Sequence, residues 1–242
     1  MLPFKRIIYA ASAIAIAASL TSCLDDESDS QKFQTLVQGY VIQSYDADSS
    51  LVFSPYFTVS SNISSHPLQS VSFVGLNRSF VMNKATDFVF DMNPDLYKTK
   101  DLSKLNGSYT ITATSTDNLV YNSNVTIAIA DADTLGRLTP KSLEYDGTTV
   151  KVTTPKVKNA ASYGVLVLPF DKDKGPQRIS CYYLSGRNLV IDKDSVATYS
   201  VTFNKSQLAA DSAYVRAYVT GATGLFQQSD ELIRVAKSKT EE

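Results

Sequence analysis

The stretch Ser-Tyr-Thr-Ile-Thr-Ala-Thr, residues 108–114, alternates polar and apolar side chains. A period of two places successive side chains on opposite faces of a β-strand, so the pattern predicts a strand with one buried and one solvated face. Val125, Ile127 and Ile129 repeat it shortly afterwards. Short runs of β-branched and aromatic residues, separated by turn residues, recur from residue 33 onward, and no helical periodicity is sustained there. We therefore predict an all-β fold.

The chain of 242 residues divides near its middle. Residues 131–140 are polar, contain one Gly and one Pro, and separate two strand-rich halves. We predict that they link a sandwich at residues 33–130 to a second one at residues 141–237, followed by a tail at residues 238–242. Each half has about the 100 residues of an immunoglobulin-type sandwich. The predicted fold class is all-β, with two immunoglobulin-like β-sandwiches in tandem; a single larger sandwich or barrel is the alternative.

The first 22 residues have the layout of a secretory signal peptide. Lys5 and Arg6 give a positive start, an uncharged stretch rich in Ala and Ile follows at residues 7–20, and small residues precede Cys23. The apolar stretch is shorter than the roughly 20 residues that span a bilayer as a helix. We predict a lipoprotein signal peptide at residues 1–22; a buried helix and an ordinary cleavable signal are the alternatives.

The segment Leu20-Thr21-Ser22-Cys23 resembles a bacterial lipobox. The resemblance implies cleavage before Cys23 and a lipid on Cys23, and several acyl chains make such a membrane anchor durable. Residues 23–32 then form an acidic tether. Their acidic cluster also resembles the surface-export signal of Bacteroidetes lipoproteins, with a plain solvated tether as the alternative. The predicted location is the outer membrane, lipid-anchored and exposed at the cell surface.

Within residues 208–219, Leu208 lies six residues before Tyr214. This is the spacing of the tyrosine corner of fibronectin type III domains, and the second half of the chain resembles that family. Residues 160–167 resemble the family's third strand, whereas the Trp that is usual in the second strand is missing. In the first half, residues 105–111 are similar to a late strand of bacterial immunoglobulin-like domains. These resemblances imply a fold and no activity, because such sandwiches host many functions.

The composition disfavours several classes of function. The chain has one His, two Cys and no Trp, too few ligands for a Cys/His zinc site or a haem pair. We therefore predict no cofactor. The net charge is −1 and no stripe of Lys and Arg stands out, which disfavours nucleic acid as a partner. With Cys23 acylated, Cys181 has no partner for an intrachain disulfide.

Candidates for catalysis or metal binding are few. Asp131 and Asp133 are weak candidates for Ca²⁺ ligands, with a charged linker as the alternative. Residues 171–175 start like an EF-hand loop and then depart from its pattern. His66 is either a general base or a solvated loop histidine, and since no nucleophile signature accompanies it we assign no catalytic residue. Cys181 is either a buried inert thiol or a reactive one.

Two further sets of residues are candidates for contact or modification. Leu225 and Phe226 follow a Gly-containing loop and either form an exposed partner contact or start a strand and pack inward. Thr134, Ser195 and Ser212 each follow an Asp and precede an aliphatic residue. This pattern resembles the O-glycosylation pattern of Bacteroidetes, which requires the sites to be exposed.

The sequence favours a non-enzymatic protein. We predict an outer-membrane or cell-surface lipoprotein that acts as a binding or assembly module, in its finer form as an accessory to glycan uptake. The predicted partners are the membrane, through the lipid anchor, and an envelope protein or a glycan. A fimbria-associated or adhesive structural subunit is the first alternative, and a hydrolase that uses carboxylates is the second.

Overall fold

A computed structural model of the chain describes residues 32–146, 148–171, 175–176, 182–202 and 212–236. The predicted signal peptide, Cys23, nearly all of the acidic tether, Cys181 and Leu208 lie outside these residues, so the predictions about them stay predictions. Within the described ranges, no helix is long and apolar enough to cross a membrane. The described chain forms two compact units, the first ending at Ala132 and the second beginning at Asp133.

The first unit is a sandwich of two antiparallel sheets. In the described chain one sheet has the strand order β1-β2-β6-β5 and the other has the order β4-β3-β7-β8. Two 3-10 turns, Pro94–Leu96 and Leu102–Leu105, connect β6 to β7. The strands are β1 Thr35–Tyr45, β2 Leu51–Ser61, β3 Leu68–Gly75, β4 Arg78–Val81, β5 Asn83–Thr86, β6 Val89–Asp91, β7 Gly107–Ser115 and β8 Val120–Ile127.

Aromatic rings from both sheets meet in the core of the first sandwich. The ring centroid of Phe57 on β2 lies 5.2 Å from that of Phe73 on β3 and 5.0 Å from that of Tyr109 on β7. All three side chains are almost fully buried. A Cβ atom at Gly75 would collide with the Tyr109 ring, and one at Gly39 would lie 2.8 Å from the Phe57 ring. The absence of side chains at these two positions therefore allows the rings to pack in the core.

The hydroxyl of Tyr109 donates a hydrogen bond to the backbone oxygen of Leu105, at 2.7 Å. Tyr109 lies near the start of β7, and Leu105 ends the 3-10 turn before that strand. This is the geometry of a tyrosine corner, a feature of immunoglobulin-type sandwiches. Next to it, the side-chain amide of Asn106 donates to the Ile129 oxygen at 2.9 Å and accepts from the Ile129 N–H at 2.8 Å. The end of β8 is thereby fixed to the start of β7.

The second unit repeats this order of strands. One sheet has the order β9-β10-β15-β14; the other contains β11-β16-β17, with β12 and β13 paired to β11 and β18 paired to β16. The strands are β9 Ser142–Tyr145, β10 Thr149–Pro155, β11 Ala160–Asp171, β12 Gly175–Pro176, β13 Tyr182–Ser185, β14 Arg187–Ile191, β15 Val196–Thr202, β16 Ser212–Gly221, β17 Leu225–Gln228 and β18 Ile233–Ala236. The prediction of an all-β protein built from immunoglobulin-like sandwiches is confirmed.

The core of the second sandwich also contains buried tyrosines. The Tyr199 hydroxyl donates to the Gly164 oxygen at 3.0 Å, and the Tyr163 hydroxyl accepts from the Val157 N–H at 2.9 Å. Their ring centroids are 5.6 Å apart. The tyrosine corner predicted at Tyr214 involves Leu208, which lies outside the described residues; Tyr214 itself is half-buried in β16.

Part of the segment predicted as a linker belongs to the second sandwich. Leu135 and Leu138 are 2% and 4% exposed. The N–H of Leu138 donates to the side-chain oxygen of Gln227, and the N–H of Gly136 donates to the Lys158 oxygen at 3.0 Å. Residues 135–138 are thus packed and hydrogen-bonded, because two leucines in an otherwise polar stretch bury their side chains.

Candidate binding surface

The structure buries the two side chains predicted as a contact. Leu225 is 0% and Phe226 is 5% exposed at the start of β17, and the Phe226 ring stacks on Tyr218 with centroids 5.4 Å apart. They therefore do not form the exposed contact of the first interpretation. The alternative, that the pair starts a strand and packs inward, describes what the structure has.

The structure places the candidate metal ligands and modification sites in turns or at the start of a strand. Asp131 and Asp133 lie in a short 3-10 turn, and the residues that the structure describes contain no group of three or more His, Cys, Asp or Glu suited to hold a metal. Ser195 is exposed in the turn before β15, at a φ of 56°. Thr134 is half-buried, and its backbone oxygen accepts from the Asn159 side chain at 2.9 Å. Ser212 begins β16.

His66 has a partner that the sequence did not indicate. Its Nδ1 lies 2.7 Å from a carboxylate oxygen of Asp117, close enough for an ion pair when the imidazole is protonated. The Ser115 hydroxyl donates to the other oxygen of Asp117 at 2.5 Å. The pair joins the loop between β2 and β3 to the turn between β7 and β8. Ser115 hydrogen-bonds the carboxylate instead of the imidazole, so the three residues do not form a nucleophile–base relay.

The Asp117 carboxyl is held in its ionised form. The hydrogen bond from Ser115 is the largest cause of its lowered pKa, and the charge of His66 adds to it. A carboxyl whose pKa is lowered on folding stabilises the folded state above its unfolded pKa, and this contribution is lost as the pH falls through its folded pKa. The contribution of Asp117 is therefore present at neutral pH and lost in acid.

We expect Asp117→Asn to destabilise the protein slightly at neutral pH and not at all near pH 2. The amide keeps the shape and the acceptor for Ser115 but removes the charge beside His66. Thermal unfolding of the unmodified protein and the variant is followed between about pH 2 and 7, a range that includes the ordinary Asp pKa of about 3.9. The difference between their melting temperatures at each pH measures the effect. Asp95→Asn, at an exposed ion pair with Lys98, is the control and should show little change. A difference in melting temperature that persists in acid would show that the charge of Asp117 is not what stabilises the folded protein.

Other carboxyl groups cap turns in the same way. The pKa of Asp48 is lowered to about 2, first by a hydrogen bond from the Ser50 side chain, and the pKa of Asp101 is lowered first by the Ser103 hydroxyl. The pKa of Asp146 is lowered first by the Thr148 N–H. A carboxylate hydrolase needs one carboxyl group with a raised pKa to donate a proton. The pKa values of Asp48, Asp101, Asp117 and Asp146 are all shifted in the opposite direction.

The outer face of the β4-β3-β7-β8 sheet carries no charged side chain among its paired, outward-facing residues. The cross-strand neighbours Ser72, Thr112 and Asn122 form one row, and Val74, Thr110 and Asn124 form the next. All of these face residues are exposed or half-buried. The complete set, here called the hydroxyl–amide face, is Ser70, Ser72, Val74, Ser79, Val81, Ser108, Thr110, Thr112, Thr114, Val120, Asn122, Asn124 and Thr126.

Two cross-strand hydrogen bonds order the polar groups of the hydroxyl–amide face. The Thr110 hydroxyl donates to the Asn124 side-chain oxygen at 2.9 Å, and the Thr112 hydroxyl donates to that of Asn122 at 2.8 Å. Each Asn then keeps both N–H donors for another partner, and each Thr oxygen keeps its lone pairs. Asn is disfavoured in β-strands, so strand propensity alone does not account for two adjacent Asn positions on β8.

The second sandwich has a different outer face on its β9-β10-β15-β14 sheet. There Glu144 on β9 lies directly across from Lys151 on β10, and Lys151 and Arg187 are both register partners of Ser200. Charged side chains thus occur on the outer face of another sheet of the same chain. The neutrality of the hydroxyl–amide face is a property of that face and not of the whole surface.

No family model matches the sequence, and no curated protein matches it. Among solved structures, the chain is similar to a DUF3823 family protein from Bacteroides ovatus, with 12% identity and a TM-score of 0.31 over 83% of this chain and 100% of that one. It is also similar to part of a 1.5-MDa bacterial ice-binding adhesin, with 12% identity and a TM-score of 0.23 over 78% of this chain and 63% of that one.

A third similar structure is a tetra-tandem repeat from the extending region of a large adhesion protein, with 11% identity and a TM-score of 0.24. The similarity covers 82% of this chain and 49% of that one. At identities and TM-scores this low, the likeness carries no ligand, partner or activity over to this chain.

Proposed function

We propose that the protein is a non-enzymatic bacterial surface lipoprotein whose first sandwich binds a neutral glycan on the hydroxyl–amide face, as an accessory to glycan uptake. The observation that carries the proposal is the neutral array of hydroxyl and amide groups ordered by the Thr110–Asn124 and Thr112–Asn122 hydrogen bonds. The lipobox resemblance at Cys23 supports the lipid anchor, and the acidic cluster within residues 23–32 supports export to the cell surface.

The chemistry of this face matches that of a sugar chain. Sugar hydroxyls both donate and accept hydrogen bonds, and the Asn amide groups and Thr oxygens offer the complementary donors and acceptors. A neutral ligand covers this face without leaving an unpaired charge buried, which would be costly. Val74, Val81 and Val120 are exposed on it and provide apolar contact for the C–H groups of a sugar ring.

The affinity expected of such a face is modest. The paired outward positions of this face include no aromatic side chain. An aromatic ring that stacks on the ligand supplies much of the affinity at many binding sites, and that contact is missing here. We expect dissociation constants on the order of 0.1 mM for a single site. Several lipid-anchored copies on one cell would bind a long polysaccharide more tightly than one copy does, because the later contacts are intramolecular.

Asn122→Asp combined with Asn124→Asp tests the proposal. The carboxylates still accept the Thr hydroxyls, but they add two negative charges and remove four N–H donors. We expect the double variant to bind neutral glycans at least about tenfold more weakly, with little change in thermal stability. A glycan array with neutral and acidic polysaccharides, probed with the full-length chain in detergent, identifies the ligand, and calorimetry measures the affinities.

The control for this experiment is Asn93→Asp. Asn93 is exposed, and its side-chain oxygen accepts from the Asp95 N–H at 3.0 Å, a bond that an Asp preserves. Asn93 lies outside the hydroxyl–amide face, so the Asn93→Asp variant should bind neutral glycans with the same affinity as the unmodified chain. Absence of binding to any neutral glycan on the array, or equal binding by the double variant, would overturn the proposal.

A further inference from the structure

Two rows of side chains on the hydroxyl–amide face cross all four strands of the β4-β3-β7-β8 sheet. The first row consists of the cross-strand neighbours Ser79, Val74, Thr110 and Asn124, and the second consists of Val81, Ser72, Thr112 and Asn122. The face has no other residue on β4, so the rows on either side of these two do not span the sheet. The two complete rows are here called the crossing rows.

The crossing rows are polar toward β8 and partly apolar toward β4. At the β7-β8 end each row contains one of the two Thr–Asn hydrogen bonds, so each row presents the ordered N–H donors of one Asn there. Toward β4, Val74 and Val81 lie on adjacent strands in different rows and are 54% and 72% exposed. A ligand that follows the crossing rows therefore needs both hydrogen-bonding groups and an apolar surface.

The spacing of the side chains decides in which direction a sugar chain fits this face. Neighbouring strands are about 4.8 Å apart, whereas side chains of one strand that share a face are about 6.7 Å apart. One ring of an extended pyranose chain advances by nearly the first distance and by clearly less than the second. A chain that crosses the strands therefore meets an equivalent position at every strand, whereas a chain that follows one strand falls out of register after about two rings.

Building on the proposed function, we propose that the ligand of this face is an extended β-1,4-linked pyranose chain that crosses the four strands along the crossing rows. Most hydroxyl groups of such a chain point outward from its two edges, so each edge lies over one row and meets its Asn and Thr groups. The faces of the rings carry C–H groups, which cover Val74 and Val81. An α-1,4-linked chain curves into a coil and does not keep successive rings on the sheet.

The size and the twist of the sheet limit the number of rings that bind. The four strands of this sheet span about 14 Å, which accommodates about three to four rings. Neighbouring strands are also rotated against each other by about 20–25°, so a straight and rigid fibre leaves the face after a few rings, whereas a single soluble chain follows the twist. The face therefore suits a soluble oligosaccharide better than the surface of a crystalline polysaccharide.

Calorimetry with oligosaccharides of defined length tests the linkage and the number of rings. The probes are β-1,4-linked gluco-, manno- and xylo-oligosaccharides of two, four and six rings, and α-1,4-linked maltohexaose, added to the full-length chain in detergent. In at least one β-1,4 series, we expect the dissociation constant to fall at least about tenfold from two to four rings, and no more than about threefold from four to six. No gain from two to four rings, a further tenfold gain from four to six, or tightest binding of maltohexaose would overturn the proposed ligand.

Two exposed valines on the edge strands of this sheet test the direction of the chain. Val81 lies in a crossing row on β4, whereas Val120, which is 59% exposed, lies outside the crossing rows on β8. A chain across the strands covers Val81, and a chain along β8 would cover Val120. Because a covered carboxylate loses its hydration, we expect Val81→Asp to bind the tetrasaccharide at least about tenfold more weakly and Val120→Asp, the matched control, to change its affinity less than about twofold. Thermal unfolding checks that both variants are folded.

Failure of the proposed path and failure of the proposed function give different results. If no neutral glycan binds to the chain, both are overturned. If a neutral glycan binds and the double variant of Asn122 and Asn124 weakens it, the face is the binding site. Binding that is then insensitive to Val81→Asp, or that is weakened as much by Val120→Asp, would overturn only the path across the strands.

Discussion

Tyr109→Ala is expected to lower the free energy of unfolding by about 3–5 kcal/mol, the range for removing a large aromatic side chain from a core. Tyr109 is 1% exposed, and its ring centroid lies 5.0 Å from that of Phe57 and 6.3 Å from that of Phe73. The cavity cannot close easily, because β3 and β7 are held by their ladder of hydrogen bonds. Urea unfolding followed by circular dichroism measures the loss.

Tyr109→Phe separates the ring from the hydroxyl. The ring stays in place, but the Leu105 oxygen loses its donor in a buried position, which costs about 1–2 kcal/mol. Val74→Ala, on the outer face of β3, is the control and should change stability by less than about 0.5 kcal/mol. If Tyr109→Ala lowered the free energy of unfolding no more than Tyr109→Phe does, the packing of the ring would not stabilise the core as expected.

Tyr199→Phe is expected to destabilise the protein at neutral pH and to stabilise it in strong alkali. At neutral pH the variant loses the hydrogen bond to the Gly164 oxygen, a cost of about 1–2 kcal/mol. Burial strongly raises the pKa of Tyr199, with smaller contributions from Tyr218 and Tyr163. The folded state therefore keeps the phenol neutral after the unfolded chain has begun to ionise.

The sign of the alkaline effect follows from this shift. A group with a raised folded pKa contributes stability below its unfolded pKa, about 10 for Tyr, and loses it as the pH rises toward the folded pKa. The loss is about 1.4 kcal/mol per pH unit, so the stabilities of the two proteins should cross about one unit above pH 10. Urea unfolding at a series of pH values measures both curves. Tyr121→Phe, at a half-buried position, is the control; parallel curves for Tyr199→Phe would contradict the assignment.

The alternation in residues 108–114 was sufficient to predict β7, because a period of two has few other structural solutions. The all-β class followed from the similar runs that recur from residue 33 onward. The same pattern also predicted that Tyr109 and Ile111 face inward. It could not predict that the outward Thr residues of β7 join an uncharged face. That depends on the cross-strand neighbours Asn122, Asn124 and Val74, and the register of pairing is not encoded in one strand.

Other features depended on contacts between distant parts of the sequence. His66 and Asp117 are 51 residues apart, and only the pairing of β3 with β7 brings their loops together. The sequence did not decide whether Leu225 is buried. A short apolar run after a Gly-containing loop is found both at exposed loop tips and at the starts of buried strands. The sequence analysis placed Leu135 in a linker because polar residues outnumber the apolar ones at residues 131–140.

The paired amide of Asn106 has a consequence for the chemical lifetime of the protein. An Asn followed by Gly is prone to slow deamidation, in which the backbone nitrogen of the Gly attacks the side-chain carbonyl carbon of the Asn. Asn106 precedes Gly107, but both polar atoms of its carboxamide are bound to the backbone of Ile129. Those bonds must break before the carboxamide can rotate toward attack. The contact that fixes the end of β8 therefore also slows the deamidation of Asn106.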